Sequence, residues 1–170
     1  MTDKVFRYYK DLPTYAKGVV AIALTGIVGF LGYKLYGKIF PSQSERDAAK
    51  LLNSVTNDVA KFQREGLKPT YPSANYVTFA NTIYQGMRYA VGDDYGSVVN
   101  TLKKMENKLD AALLIDAFGV KQNYAFGIPT GDPMDMLSFI KTELGNEWWF
   151  INRIKQINED WSSKGIPYKI

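Results

Sequence analysis

The sequence predicts an all-α protein in which one N-terminal transmembrane helix leads into a compact bundle of about six helices over residues 41–170. Three observations carry that reading. An uncharged apolar run fills residues 18–33, apolar residues beyond Pro41 recur at three-to-four spacing, and no segment alternates strictly enough for a strand. A chain of 170 residues has room for one globular domain plus an appendage.

The apolar run, GVVAIALTGIVGFLGY, is sixteen residues long and short for a bilayer by itself. Lys17 and Lys34 flank it, and their long stems can snorkel to the head groups. A helix over 15–36 is then about 33 Å long at 1.5 Å per residue, close to the hydrocarbon thickness. Tyr15, Tyr33 and Tyr36 fall at its two ends, where amphipathic rings prefer to lie. A long basic leader and the absence of a small-x-small site before Lys34 favour an uncleaved anchor over a signal peptide. Residues 15–40 therefore read as a single-pass anchor, with Gly18, Ala21, Thr25, Gly29 and Gly32 forming a small-residue stripe suited to a homo-oligomer. Lys4, Arg7, Lys10 and Lys17 precede the span, while Lys34, Lys38, Arg46 and Lys50 follow it, so the positive-inside rule has no asymmetry to act on. Residues 1–14 read as an interfacial helix, from Phe6, Tyr8 and Tyr9 set among Arg7 and Lys10, or as a disordered tail.

Past Pro41 the helices follow one another with short connections. Ser44 can cap a helix over 45–65 whose apolar positions Ala48, Leu51, Leu52, Val55, Val59 and Phe62 lie on one face, and Gly66 stops it. Ser73 can cap a second to about residue 89, with Val77, Ala80, Ile83, Tyr84 and Met87 inward. Asp94 caps a third over 95–105, and Asn107 opens a fourth that Gly119 ends. Residues 120–131 read as a loop by composition. Asp132-Pro133 looks like a cap with proline at the first helical position, starting a fifth helix that stops at Gly145. Asn146 caps a sixth that runs to Trp161, and residues 168–170 form an extended tail.

The chain has no Cys and no His, which excludes disulfides, thiol nucleophiles, Cys- or His-built zinc sites and imidazole bases. The formal charge of +4 suggests a polyanion partner until the charges are placed. Residues 41–170 hold fifteen basic and fifteen acidic side chains, so the excess belongs to the anchor region, beside lipid head groups. No nucleic-acid contact through the helical domain is expected. Glu143 and Glu147, beside Trp148 and Trp149, are the pair to test for glycan cleavage. A solvated face for Glu143 and a dipole-favoured helix start for Glu147 account for them without catalysis. Asp132 and Asp135 read as helix-start residues, and Gly92-Asp93-Asp94 as a cap. No cofactor, no metal and no enzymatic activity are expected.

The order of signals from residue 74 to residue 154 resembles a single annexin-type repeat. The carrying segments are IYQGMRYAVG, the acidic cap Asp93-Asp94, VVNTLKKM, ALLIDAFGV and DMLSFIKTELG, with Ile140-Lys141-Thr142-Glu143-Leu144 as the terminal motif. The turn Val91-Gly92-Asp93-Asp94 departs from the calcium loop of that family, so calcium binding does not carry over. The ending Lys164, Gly165, Ile166, Tyr168 and Lys169, with Pro69-Thr70-Tyr71 and Ala117-Phe118-Gly119-Val120, is similar to small helical proteins encoded by bacteriophages of Bacteroidetes hosts. That resemblance implies a viral structural protein. With a membrane span, it implies a virion that has a lipid layer or a protein placed in the bacterial inner membrane.

Aromatic residues make up 14% of the chain, more than a core of this size requires. Tyr71, Tyr76, Tyr124, Phe126 and Tyr168 lie in loops or at helix ends, where they suit protein contacts or cap the core. Tyr124, Phe126, Ile128 and Pro129, in the one long connection, are the expected contact site. The expected role is a membrane-anchored adaptor, a minor virion protein with the lipid membrane and capsid or other virion proteins as partners. A muralytic enzyme and a host-membrane assembly or exclusion protein are the competing expectations.

Overall fold

The computed structural model describes residues 41–87, 94–125, 128–144 and 148–170. Among these the chain is mostly helical, and the elements in order are α1 (Gln43–Arg64), α2 (Ser73–Met87), α3 (Tyr95–Lys103), α4 (Lys108–Phe118), β1 (Lys121–Ala125), β2 (Ile128–Met134), α5 (Met136–Leu144) and α6 (Trp148–Ser163). Gln43–Ile170 makes one compact unit. The expected transmembrane helix and the tail before it lie outside the described residues. Among the described residues no helix is long and apolar enough to cross a membrane.

Helix α4 is the centre of the unit. Leu109, Ala111, Ala112, Leu114, Ile115 and Phe118 are all buried, so the helix is apolar nearly all round, as a helix packed on several sides must be. Helices α1 and α2 pack against it, α3 packs on α2 and on α6, and α5 meets it near its end. Helix α1 contributes Ala48, Val55 and Phe62, one residue every two turns along a single stripe. The tail after α6 folds back, burying Ile166 and Tyr168 and pairing the backbone of Ile170 with the Asn158 side chain.

Local chemistry explains the helix ends. Asn107 accepts from the Leu109 and Asp110 amides at 2.9 and 3.0 Å, satisfying two of the donors left open at the start of α4. Asp94 does the same for α3 through Ser97, and those hydrogen bonds, side chain first, hold its carboxyl below the usual range. Helices α1 and α6 end alike. Gly66 and Gly165 take φ of 87° and 69°, and the next residue donates back five positions, Leu67 to Phe62 at 3.1 Å and Ile166 to Trp161 at 2.8 Å. This left-handed stop is one a glycine adopts without steric cost.

Gly86 has a different reason. A Cβ there would stand 2.8 Å from Val98 Cγ2 and 3.0 Å from the Asp94 carbonyl oxygen, because α2 and α3 meet at this point. Gly86→Ala is therefore expected to destabilise the domain by about 1–2 kcal/mol, overpacking outweighing the roughly 1 kcal/mol that alanine gains in a helix. A thermal melt checks it, and a raised midpoint would show that the contact yields freely.

Several expectations need correction: Ser44 lies inside α1, which starts at Gln43, and Val77 on the expected inner face of α2 is 53% exposed. Residues 121–125 and 128–131, expected in the loop over 120–131, lie instead in two paired antiparallel strands, so the fold is helical with one β element. Pro133 does not start α5; it lies in β2, and Asp135 is the cap. Asp135 accepts from the amides of Leu137 and Ser138 at 2.8 and 3.0 Å and from the Ser138 hydroxyl at 2.7 Å. Its spacing to Ser138 lets one carboxylate hold three donors, which Asp132 cannot reach from the strand. Asn146, the expected cap of α6, lies outside the described residues.

Candidate functional site

The hairpin pairs Lys121 with Met134, Asn123 with Thr130, Tyr124 with Pro129 and Ala125 with Ile128. The register slips between Lys121 and Asn123, and Gly131 on the opposite strand takes φ of 65° there. A glycine at positive φ is what a strand needs to carry extra residues past its partner. The Gln122 side-chain amide closes the irregularity by donating to the Gly131 carbonyl at 2.7 Å. Pro129 and Pro133 are tolerated because both strands of a two-stranded ribbon are edges.

An isolated hairpin is marginal in water, so the helices must hold this one. Helix α2 does so through the Tyr84 hydroxyl, which donates to the Gln122 carbonyl at 2.9 Å, while the Lys121 ammonium sits 5.6 Å from the centre of the same ring. Helix α5 does so through Glu143, which accepts from the Asn123 side-chain amide. Helix α1 packs along β2, with Ser44 donating to Asp132 at 3.5 Å. Met134 packs against the core at the base.

The far end of the hairpin is unlike its base. Ile128 is 67% exposed, the most exposed large apolar side chain among the described residues, and Pro129 beside it is exposed as well. Tyr124, across from Pro129, is half-buried. Three of the four expected contact residues are thus brought together on one braced element. Phe126, the fourth, lies outside the described residues, as do Tyr15, Lys17, Gly18, Ala21, Thr25, Gly29, Gly32, Tyr33, Lys34 and Tyr36 of the expected anchor.

The other loop aromatics belong to the core. Tyr76 is buried and its hydroxyl donates to Asp110, and burial first, then that bond, push the phenol well above its usual range. Tyr168 is buried likewise, donates to Asp58 at 2.9 Å and is raised for the same two reasons in the same order. Tyr71 stacks edge-on against Tyr76 and Phe79 and donates to the Lys104 carbonyl. These rings cap the core under the loops.

Asp110 escaped the sequence reading. Its carboxylate is fully buried and accepts from the Thr70 amide and hydroxyl at 2.8 and 2.6 Å, from Tyr76, and from the Glu106 amide at 3.2 Å. Read locally it is one more acid in a helix first turn, since two of its partners lie 34 and 40 positions away. The candidate acids have structural roles as well: Glu143 braces β1, Asp135 caps α5, Asp94 caps α3, and Glu147 lies outside the described residues. Among the described residues no three acidic side chains converge as a metal site.

Comparison with protein-family models, with curated proteins and with solved structures finds no match to this chain.

Proposed function

We propose that the chain is a membrane-anchored structural adaptor that holds its helical domain at a bilayer and docks a neighbouring protein through the β1–β2 hairpin. The observation that carries this is Ile128, an apolar side chain left 67% exposed beside Pro129 on a hairpin that three helices hold in place. An apolar side chain on a strand that is already paired loses little entropy when a partner covers it, which favours it as a contact anchor. The uncharged run between Lys17 and Lys34 supports the bilayer half of the reading. In the terms of the phage resemblance, the protein is a minor virion component that joins an internal membrane to the capsid shell.

Two measurements test the halves separately. Under alkaline carbonate extraction the full chain is expected to stay with the membranes, and a chain lacking residues 1–40 to enter the supernatant; a soluble full chain would end the anchor reading. With a photoreactive residue in place of Ile128, one discrete protein adduct is expected in purified particles, and an Ile128→Asp background should abolish it. Absence of the chain from particles would sink the virion assignment, and glycan cleavage lost in Glu143→Gln would replace the adaptor with an enzyme.

A further inference from the structure

We propose that the end of the domain where α1 and α3 finish is a second docking surface, and that it takes an acidic protein. The inference is independent of the hairpin and of the anchor.

Residues 41–170 are neutral by count, but folding does not leave the charge evenly spread. Lys61 and Arg64 in the last turn of α1, Lys68 in the following loop, and Lys103 and Lys104 at the end of α3 are all exposed. Long-range bonds bring them to one end. Lys108 of α4 pairs with Glu65 just past α1 at 2.7 Å, Tyr71 donates to the Lys104 carbonyl at 3.2 Å, and Lys164 just past α6 donates to the Lys103 carbonyl at 3.1 Å. The neighbouring acids already face cations: Glu65 faces Lys108, while Glu106 and Asp160 face Lys164 at 3.8 and 3.0 Å. Seven cations thus meet three acids, and the two helix C-termini supply about half a negative charge each, so roughly three positive charges are left unneutralised.

The chemistry of the patch favours protein carboxylates over a nucleic acid. Base stacking needs open aromatic faces, and here Lys104 and Lys108 sit 4.9 and 4.5 Å from the ring centres of Phe79 and Phe62. Glu65 and Glu106 also stand among the lysines, where an evenly charged phosphate backbone would meet them as like charges. Carboxylates on a protein surface can be spaced to avoid them. The patch lies at the opposite end of α1 from Ser44 and Asp132, about 33 Å away for a 22-residue helix. One domain thereby carries two contact surfaces, one apolar and one cationic.

The test uses the full chain in zwitterionic nanodiscs and fluorescein-labelled poly-glutamate of about twenty residues. Saturable binding is expected, at least tenfold tighter at 50 than at 300 mM NaCl because the contact is Coulombic. The triple variant Lys61→Glu, Lys68→Glu, Lys103→Glu should lose at least tenfold, while Lys50→Glu, Lys141→Glu, Lys155→Glu, with the same change in net charge, should lose less than threefold. All six side chains are exposed, and a circular dichroism melt checks that both variants fold. Absence of binding, or equal loss in the two triple variants, would overturn the proposal. So would tighter binding of single-stranded DNA of equal charge, or of vesicles containing anionic lipid, in a form that the first triple variant abolishes.

Discussion

Trp161→Ala is expected to cost about 4 kcal/mol and to lower the melting midpoint of the helical domain by roughly 10–15 °C. Trp161 is fully buried and is the largest side chain in the core. It stands at the end of α6, against α3 and the returning tail, and its indole N–H donates to the Leu102 carbonyl at 2.9 Å. Leu102 is near the C-terminal end of α3, where its carbonyl accepts from the Met105 amide at 3.3 Å in a tightened last turn. The indole therefore fills volume and also gives that oxygen a second donor beside the Met105 amide. Truncation opens a cavity and removes one of that oxygen's hydrogen bonds, and the cavity is the larger penalty because the Met105 amide still reaches the oxygen. Trp161→Phe separates them: it keeps most of the volume and loses the bond, and is expected to cost about 2 kcal/mol. Thermal and urea melts of the detergent-solubilised chain measure both. A loss under 1 kcal/mol for Trp161→Ala would mean that α6 does not close the core.

The second large effect is at Asp110, where Asp110→Ala is expected to cost roughly 3–5 kcal/mol. The substitution removes the acceptor of the Thr70 amide, the Glu106 amide and the buried Tyr76 hydroxyl, and frees the loop between α1 and α2 from the start of α4. The price of unmet donors dominates, because the carboxylate itself fills little space. Asp110→Asn keeps the shape but turns an amide group toward donors, and should cost about half as much. Tyr76→Phe alone should cost about 1–2 kcal/mol, and the double variant Tyr76→Phe, Asp110→Ala less than the sum of the two. Additivity within 0.3 kcal/mol would show that the two groups do not act together.

The helices are legible in the sequence because their signals are local. Asn107 reaches amides two and three positions ahead, Asp94 reaches Ser97, and Gly66 and Gly119 turn at the chain's own helix ends. The apolar stripe of α1 is likewise set by the period of a helix and needs no knowledge of its partner. The same local rule misplaced the start of α5. Asp132-Pro133 and Asp135 both satisfy the pattern of cap and first turn, and the choice between them falls to β2, which claims Pro133 for the hairpin.

The hairpin that carries the proposed contact site was legible as a stretch of residues, not as a shape. Lys121 to Ala125 carries no strict alternation, and its strand character comes from what surrounds it: Tyr84 on Gln122, Glu143 on Asn123, and α1 along β2. A hairpin's register and stability depend on contacts far along the chain, so composition alone reads it as a loop.

By itself, then, the sequence determined the helical character of residues 41–170, the inward stripe of α1, the helix ends at Gly66, Asp94, Asn107 and Gly119, and the neutrality of that stretch. The tertiary structure decided which aromatics are core, left Ile128 exposed, made Asp110 a buried hub, and gathered lysines from α1, its following loop and α3 at one end. The division follows range: hydrogen bonds within four residues are written in the local pattern, while burial and charge placement arise between residues that meet only when the chain folds.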